Sequence, residues 1–227
     1  MGITTTGNKP GGNQQLESSR IGPDVGALPG SFSLVDREGC EALFRPLVQA
    51  DCPTVARLFP SLSARTRFHR FNSLYADLTD KQLTSLFDLD YRERFAWAVE
   101  ITCDEVTVPV AVGRYARYPD NNQRADVAIT IRDDWQGRGL GGSLLDTLII
   151  TAHHHGFVAF ETIVTADNQA MLHLLRQRGA QLSQPRSGEV GVVLPISEVV
   201  GQLTDHPLSR RLTAAGAWTP GVSSATG

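Results

Sequence analysis

The order of hydrophobic periods along the 227 residues predicts an α/β (α+β) domain, a mixed, mostly antiparallel central sheet of six to seven strands with helices on both faces. Three observations carry this reading. Helical patterns fill the stretch after the first strand, three β-rich runs follow with only short turn signals between them, and two helix-strand pairs close the folded region. The resulting order is βααα, βββ, αβ, αβ.

The first strand covers 42–48. Asp51 stands where an N-cap belongs for a helix running to Leu58, with Pro53 tolerated in its first turn. Residues 63–71 and 80–88 read as two further helices, the second placing Leu83, Leu86 and Phe87 at helical spacing. Strands follow at 95–102, 108–118 and 126–132, separated by turn signals at Asp104 and at Pro119-Asp120-Asn121-Asn122, so short loops make an antiparallel meander. Leu140, Leu144, Leu145, Leu148, Ile149 and Ala152 share one helical face, and Gly156 sits where that helix should end. A strand at 157–165 leads to Asp167, read as the cap of a helix carrying Met171, Leu172, Leu174 and Leu175 and ending at Gly179, before a last strand at 190–194. No internal repeat is visible.

Composition bounds the function classes. A hydrophobic share of 41% and a charged share of 20% suit a packed globular domain. The net charge of -3 gives no electrostatic reason to expect nucleic acid as a partner. No run of about 18 apolar residues suggests a membrane span, and the N-terminus lacks a secretory pattern. Residues 1–35, rich in Gly, Ser, Asn, Gln and Pro, read as a disordered leader, 36–205 as the folded domain, and 206–227 as a partly disordered tail in which Trp218 could dock. Cys40, Cys52 and Cys103 are odd in number and form no CxxC pair, which argues against a disulfide framework or a zinc site and for a reducing cytoplasm. A monomer or homodimer is expected.

The informative stretch is 126–142, Asp-Val-Ala-Ile-Thr-Ile-Arg-Asp-Asp-Trp-Gln-Gly-Arg-Gly-Leu-Gly-Gly, which passes from a strand through a tight loop into the amphipathic helix. The first-turn N–H groups of a helix lack partners and carry the positive end of its dipole, so the backbone of 136–142 can hold an anion such as a pyrophosphate. Side chains in place of the glycines would keep the phosphates away.

Read as Gln136-x-x-Gly139-x-Gly141, this stretch resembles the coenzyme A signature of the GNAT superfamily, and the order of elements over 41–196 looks like that fold. The resemblance implies a GNAT-like sheet and acetyl-CoA as cosubstrate, with no metal. Its phosphates would meet Gln136, Gly137, Arg138, Gly139, Leu140, Gly141 and Gly142, its pantetheine and thioester the strand amides of Ile129, Thr130 and Ile131, and its pantetheine arm also Asn168. Phe44-Arg45-Pro46-Leu47, the Ala64-Arg65-Thr66-Arg67-Phe68-His69-Arg70-Phe71 stretch and Asp126-Val127-Ala128 resemble the catalytic domain of bacterial protein lysine acetyltransferases. That implies direct transfer of an acetyl group to a primary amine, a protein lysine in that branch. A small-molecule amine as acceptor, and an acyl-CoA-binding regulatory module without catalysis, are the alternatives.

The branch has a glutamate where this chain has Asp126, which makes Asp126 the candidate base, one methylene short and so acting through water or not at all. A plain surface carboxylate at a strand start is the competing reading. Glu100 is the reserve base, and otherwise a solvent-facing strand residue. Many superfamily members place a proton-donating tyrosine where Leu175 stands here. A thiol of pKa about 8.5 can nonetheless leave as thiolate.

The same glycines also satisfy Gly137-x-Gly139-x-x-Gly142, a dinucleotide fingerprint. Context speaks against it, because residues 133–136 separate strand from glycines and Glu161 falls within a strand rather than at its end. His153, His154 and His155 invite a metal reading, yet neighbours on a helix point about 100° apart and cannot close on one ion. Arg65, Arg67 and Arg70 suit either phosphates, an acidic substrate, or a solvated helix face.

Overall fold

The computed structural model describes residues 28–71, 78–203 and 206–216. One sheet runs in the order β1-β2-β3-β4-β5-β6-β8-β7. The strands are β1 (Phe32–Val35), β2 (Glu41–Pro46), β3 (Arg94–Cys103), β4 (Val106–Tyr118), β5 (Asn121–Ile131), β6 (Ala159–Thr165), β7 (Gln181–Leu182) and β8 (Glu189–Pro195). Every neighbouring pair is antiparallel except β5 with β6. Between β2 and β3 lie α1 (Cys52–Leu58), α2 (Ala64–Phe71) and α3 (Asp80–Phe87); α4 (Leu140–His154) joins β5 to β6. Helices α5 (Gln169–Arg176), α6 (Ile196–Leu203) and α7 (Pro207–Ala214) complete the order.

Alternation along β3 explains the two-faced packing. Phe95, Trp97, Val99 and Ile101 join the main core with Leu144 and Leu148 of α4, while the small Ala96 and Ala98 face Leu47, Leu86 and Phe87 on the α1–α3 side. Helix α4 lies directly on β4 because Gly113 has no side chain. A Cβ there would stand 2.7 Å from Leu144 Cγ. Within this core Trp97 Nε1 donates to Thr151 Oγ1 at 3.1 Å, so its polar handle is satisfied.

Several expectations need correction. The sheet has eight strands rather than six to seven, since β1 lies inside the stretch read as leader and β7 is only two residues long. Pairing overrides composition in β1: Phe32 is opposite Phe44, and the two rings stack at 5.1 Å. The folded region also runs past 205, because α7 buries Leu208 and Leu212 and the Ala215 carbonyl accepts from Gly30. Trp218 and residues 1–27 lie outside the described residues. Asn168, not Asp167, caps α5, accepting from the Met171 amide at 3.2 Å. Asp51 does not cap α1 with its side chain; it accepts instead from Arg45 and from the Val48 amide.

Cysteine spacing also misled. Cys40 and Cys103 form a disulfide, with Cα atoms 5.5 Å apart, tying the turn before β2 to the end of β3. Two chain ends brought together by sheet register leave no local spacing signal. The cysteines therefore give no argument for a reducing compartment. Among the described residues no helix is long and apolar enough to cross a membrane.

The third residue of the histidine run is half-buried against the core. His155 Nδ1 meets the buried Tyr115 hydroxyl at 2.6 Å, and burial, then the charges of His154 and Arg92, bring its pKa down to about 4. An unfolded histidine titrates near 6.5, so the unfolded chain takes up the proton first as pH falls. Stability present above about pH 6.5 is therefore expected to be lost towards pH 4, on the order of 3 kcal/mol. Urea unfolding at pH 7.5 and pH 5 should show about 2 kcal/mol of that loss in the native chain and a smaller one in His155→Gln.

Candidate active site

The site begins where two strands part. β5 and β6 pair only at Arg124 with Ala159 and Ala125 with Phe160, although β5 continues to Ile131 and β6 to Thr165. Beyond Ala125 one edge of β5 faces an open wedge. Two hydrogen bonds fix which groups point there. Val158 N donates to Gln123 O on the β6 side, and Arg132 N donates to Val110 O on the β4 side. Main-chain groups alternate along a strand and the β4–β5 pairing is regular from Ala125 to Ile131, so, counted back from Arg132, Ile129 and Ile131 turn their amides away from β4 and to the wedge. Thr130, opposite Val112, turns its amide to β4 and is corrected as an amide donor to the cofactor.

The glycine loop lies at the end of the wedge. A short 3₁₀ turn at Asp133–Trp135 ends β5, and Gly137 and Gly139 follow with φ of 80° and 90°, a left-handed region that other residues rarely enter. Two amides of the expected set are used internally: Gln136 N donates to Asp133 O at 3.3 Å and Gly142 N to Gly139 O at 3.1 Å. Among the described residues, the amides of Gly137, Arg138, Gly139, Leu140 and Gly141 have no protein acceptor. These five donors at the N-terminus of a 15-residue helix are left free to meet an anion. Gly141 keeps the throat open, since a Cβ there would lie 3.3 Å from Ile131 Cδ1.

Side chains of the loop turn inward. Gln136 Nε2 donates to the Ile131 carbonyl at 3.1 Å, joining loop to strand end. The Arg138 guanidinium lies over the Trp135 ring at 4.2 Å and pairs with Asp36 and Glu38, so Arg138 offers a ligand its amide and not its charge. Asn168 uses its side-chain oxygen as the α5 cap.

Helix α2 bridges the diverging strand ends. Asp133, just after β5, accepts from Ser63 N and Oγ and from Thr66 Oγ1; Asp167, just after β6, meets His69 Nε2 at 3.0 Å through its carboxylate and Arg65 through its carbonyl. Arg67 caps the carbonyls of Leu62 and Pro60. Two of the three arginines singled out on this helix thus hold backbone.

The third lies beside Asp126. Even-numbered β5 side chains share the α1–α3 face, where Asp126 is solvent-accessible and lies within reach of the Arg70 and Arg114 charges. Burial raises the Asp126 carboxyl above its ordinary value, against the opposing effects of a Thr162 hydrogen bond and the two arginine charges. Burial lowers both arginines, helped by the Arg114 charge at Arg70 and by the Arg94 charge at Arg114, against the opposing pull of Asp126. Alongside runs an apolar cleft of about 750 Å³, including its open mouth, lined by Leu47, Leu86, Ala98, Val112 and Thr130.

Glu100 is not placed with Asp126. It is opposite Pro109 and Asp126 opposite Ala116, seven positions along β4, or about 23 Å at the usual strand rise. Arg45 holds Glu100 at 2.6 Å while forking onto Asp51, so its carboxylate is engaged. Leu175 is fully buried and supplies no proton. Sequence reasoning missed Arg114 and Asp36. Neither has a local signal: each meets its partner only across strands or through a contact with the loop.

The sequence pattern of the Acetyltransferase (GNAT) family matches residues 62–180, which includes α2, the meander, the glycine loop and α5. Acetyltransferase Pat of Mycolicibacterium smegmatis is 33% identical over 136 residues, 60% of this chain and 40% of that protein. The GNAT domain of S. lividans PAT superposes with a TM-score of 0.65 at 22% identity, covering 73% of this chain and 96% of that one. The fold is shared, too, with yncA of Salmonella typhimurium, solved with its cofactor acetyl-CoA, at a TM-score of 0.55 and 16% identity over 68% of this chain and 94% of that one. With the family pattern spanning more than half of its 227 residues, the chain, which spans under half the length of Pat, belongs to the GNAT acetyltransferase family.

Proposed function

We propose that the protein moves an acetyl group from acetyl-CoA to a primary amine, a protein lysine, by direct attack. The observation that carries the cosubstrate is the set of five unpaired amides at the start of α4, opening on the β5–β6 wedge. In this reading the pyrophosphate lies on residues 137–141 and the pantetheine follows the wedge, its thioester carbonyl meeting the amides of Ile129 or Ile131. Fixed donors of this kind stabilise the oxyanion that grows as the amine attacks.

A lysine ammonium must first lose its proton, about 4 to 5 kcal/mol uphill at neutral pH from a pKa near 10.4. Asp126 stands three residues from Ile129, about 10 Å along the strand, so amine and water fit between them. Its raised affinity for protons makes it a better base than an ordinary aspartate. The proton goes to Asp126, the amine nitrogen bonds to the carbonyl carbon, and the carbon–sulfur bond breaks as the thiolate leaves. No tyrosine is needed for that last step, because the thiol is already a fair acid. A protein acceptor is supported by the likeness to Pat and to the PAT domain, and a small amine is the second reading.

Thermal shift tests the cosubstrate. Acetyl-CoA or CoA at about 100 times its Kd should add about 2.7 kcal/mol of apparent stability, a rise of several degrees in Tm, while NAD(P) should add none. A rise with NAD(P) alone would return the glycine loop to the dinucleotide reading.

A further inference from the structure

The glycine loop is held from behind by a segment that the family's motif does not contain. The Asp36 side chain is fully covered, and its carboxylate has no contact that is not spoken for: Oδ1 accepts from the amides of Glu38 and Cys40, both at 2.9 Å, and Oδ2 from Arg138 Nε at 2.6 Å. Burial alone would raise this carboxyl, but the Arg138 hydrogen bond and the two amides outweigh it and lower it. Beside that pair, Arg37 N donates to Arg138 O at 3.2 Å, and the Arg37 side chain lies 3.2 Å from where a Cβ on Gly139 would stand. The other end of the segment is fixed, since Cys40 is bonded to Cys103 at the end of β3.

The contacts share a direction. Side chain and carbonyl of Arg138 are drawn back towards residues 36–37, and a peptide chain pulled on those groups turns its amides the opposite way, outwards to solvent. Trp135 closes the third side of the guanidinium. We infer that Asp36 is a positioning residue for the cofactor loop: it anchors Arg138 so that the amides of residues 137–141 converge on one anion. This rests on the reading of that loop as the seat of the CoA pyrophosphate. Asp36 touches neither the cofactor nor the reacting atoms, so its removal acts on affinity for CoA and not on the chemical step.

The test is a double-mutant cycle on the full chain, with Asp36→Asn, Arg138→Gln and the pair, reading CoA affinity by calorimetry and acetyl transfer by thiol release. Asp36→Asn should weaken CoA binding about 10- to 100-fold, the scale of losing a charged partner behind a binding group. The KM for acetyl-CoA should rise in step, with kcat within about twofold, and the double variant should bind no more weakly than Arg138→Gln alone, because both act through one contact. Should Asp36→Asn fold poorly, Asp36→Glu, which keeps the charge, is expected to bind CoA more tightly than Asp36→Ala at equal folded fraction. Unchanged affinity in folded Asp36→Asn, or additive losses in the pair, overturns the inference while leaving the cosubstrate intact. Failure of the native chain to bind CoA overturns the cosubstrate reading, and this one with it.

Discussion

Asp126→Asn is expected to bind acetyl-CoA within about twofold of the native chain and to turn over about 10- to 1000-fold more slowly, the span of one acid–base group. The carboxylate lies near the Arg70 and Arg114 charges, whereas the unpaired loop amides lie beyond Ile131, so the substitution leaves those amides alone. Stability should not fall at neutral pH. A carboxyl whose folded pKa is raised contributes stability below its unfolded value near 3.9 and loses it as pH rises through the folded value, so the ionised form is a burden the asparagine lacks. The pH profile separates a base from a bystander. In the native chain kcat/KM should fall on the acid side through a pKa above that of an ordinary aspartate, and the variant should lack that step. Equal rates with an unchanged profile would retire Asp126 and leave solvent to deprotonate the amine.

Gly137→Val should cost about 100- to 10,000-fold in CoA affinity. Gly137 has φ of 80°, and a Cβ there would meet nothing within 4 Å, so valine disturbs no packing. What it disturbs is the left-handed backbone, at about 1 to 2 kcal/mol for an ordinary L-residue and more for a branched one. The chain relieves that strain by rotating the 137 and 138 peptides, and the two amides leave the anion. Losing about two hydrogen bonds to a charged group, at about 1.5 to 3 kcal/mol each, gives the stated range. Calorimetry with CoA checks it. Affinity within threefold of native would place the phosphates elsewhere.

The sheet's middle and its glycine loop were readable in the sequence because their signals are local. Leu140, Leu144, Leu145 and Leu148 repeat at helical spacing within one element, and a left-handed glycine announces its own backbone. What escaped was decided by distant partners. Phe32 becomes a strand residue only because Phe44 lies opposite, and Leu212 is core only because α7 folds back onto α4. The disulfide joins residues 63 apart in sequence, closed by the register of β2 on β3. The candidate site divides in the same way. The unpaired loop amides follow from the motif, but the parity that selects Ile129 and Ile131 over Thr130 depends on bonds to Val110 and from Val158. Asp126 could be singled out by resemblance, while the arginines around it could not, since Arg70 and Arg114 come from a helix and a neighbouring strand. Glu100 alternated correctly for a solvent-facing base, yet Arg45 on the adjacent strand holds it.

The most direct test of the central claim is an amide titration of ¹⁵N-labelled protein with CoA. If main-chain donors grip the diphosphate, the resonances of Gly137, Arg138, Gly139, Leu140 and Gly141 should move together and saturate at one Kd, while a pantetheine lacking the nucleotide diphosphate leaves them in place. Saturable CoA binding with those five resonances unmoved would contradict the account.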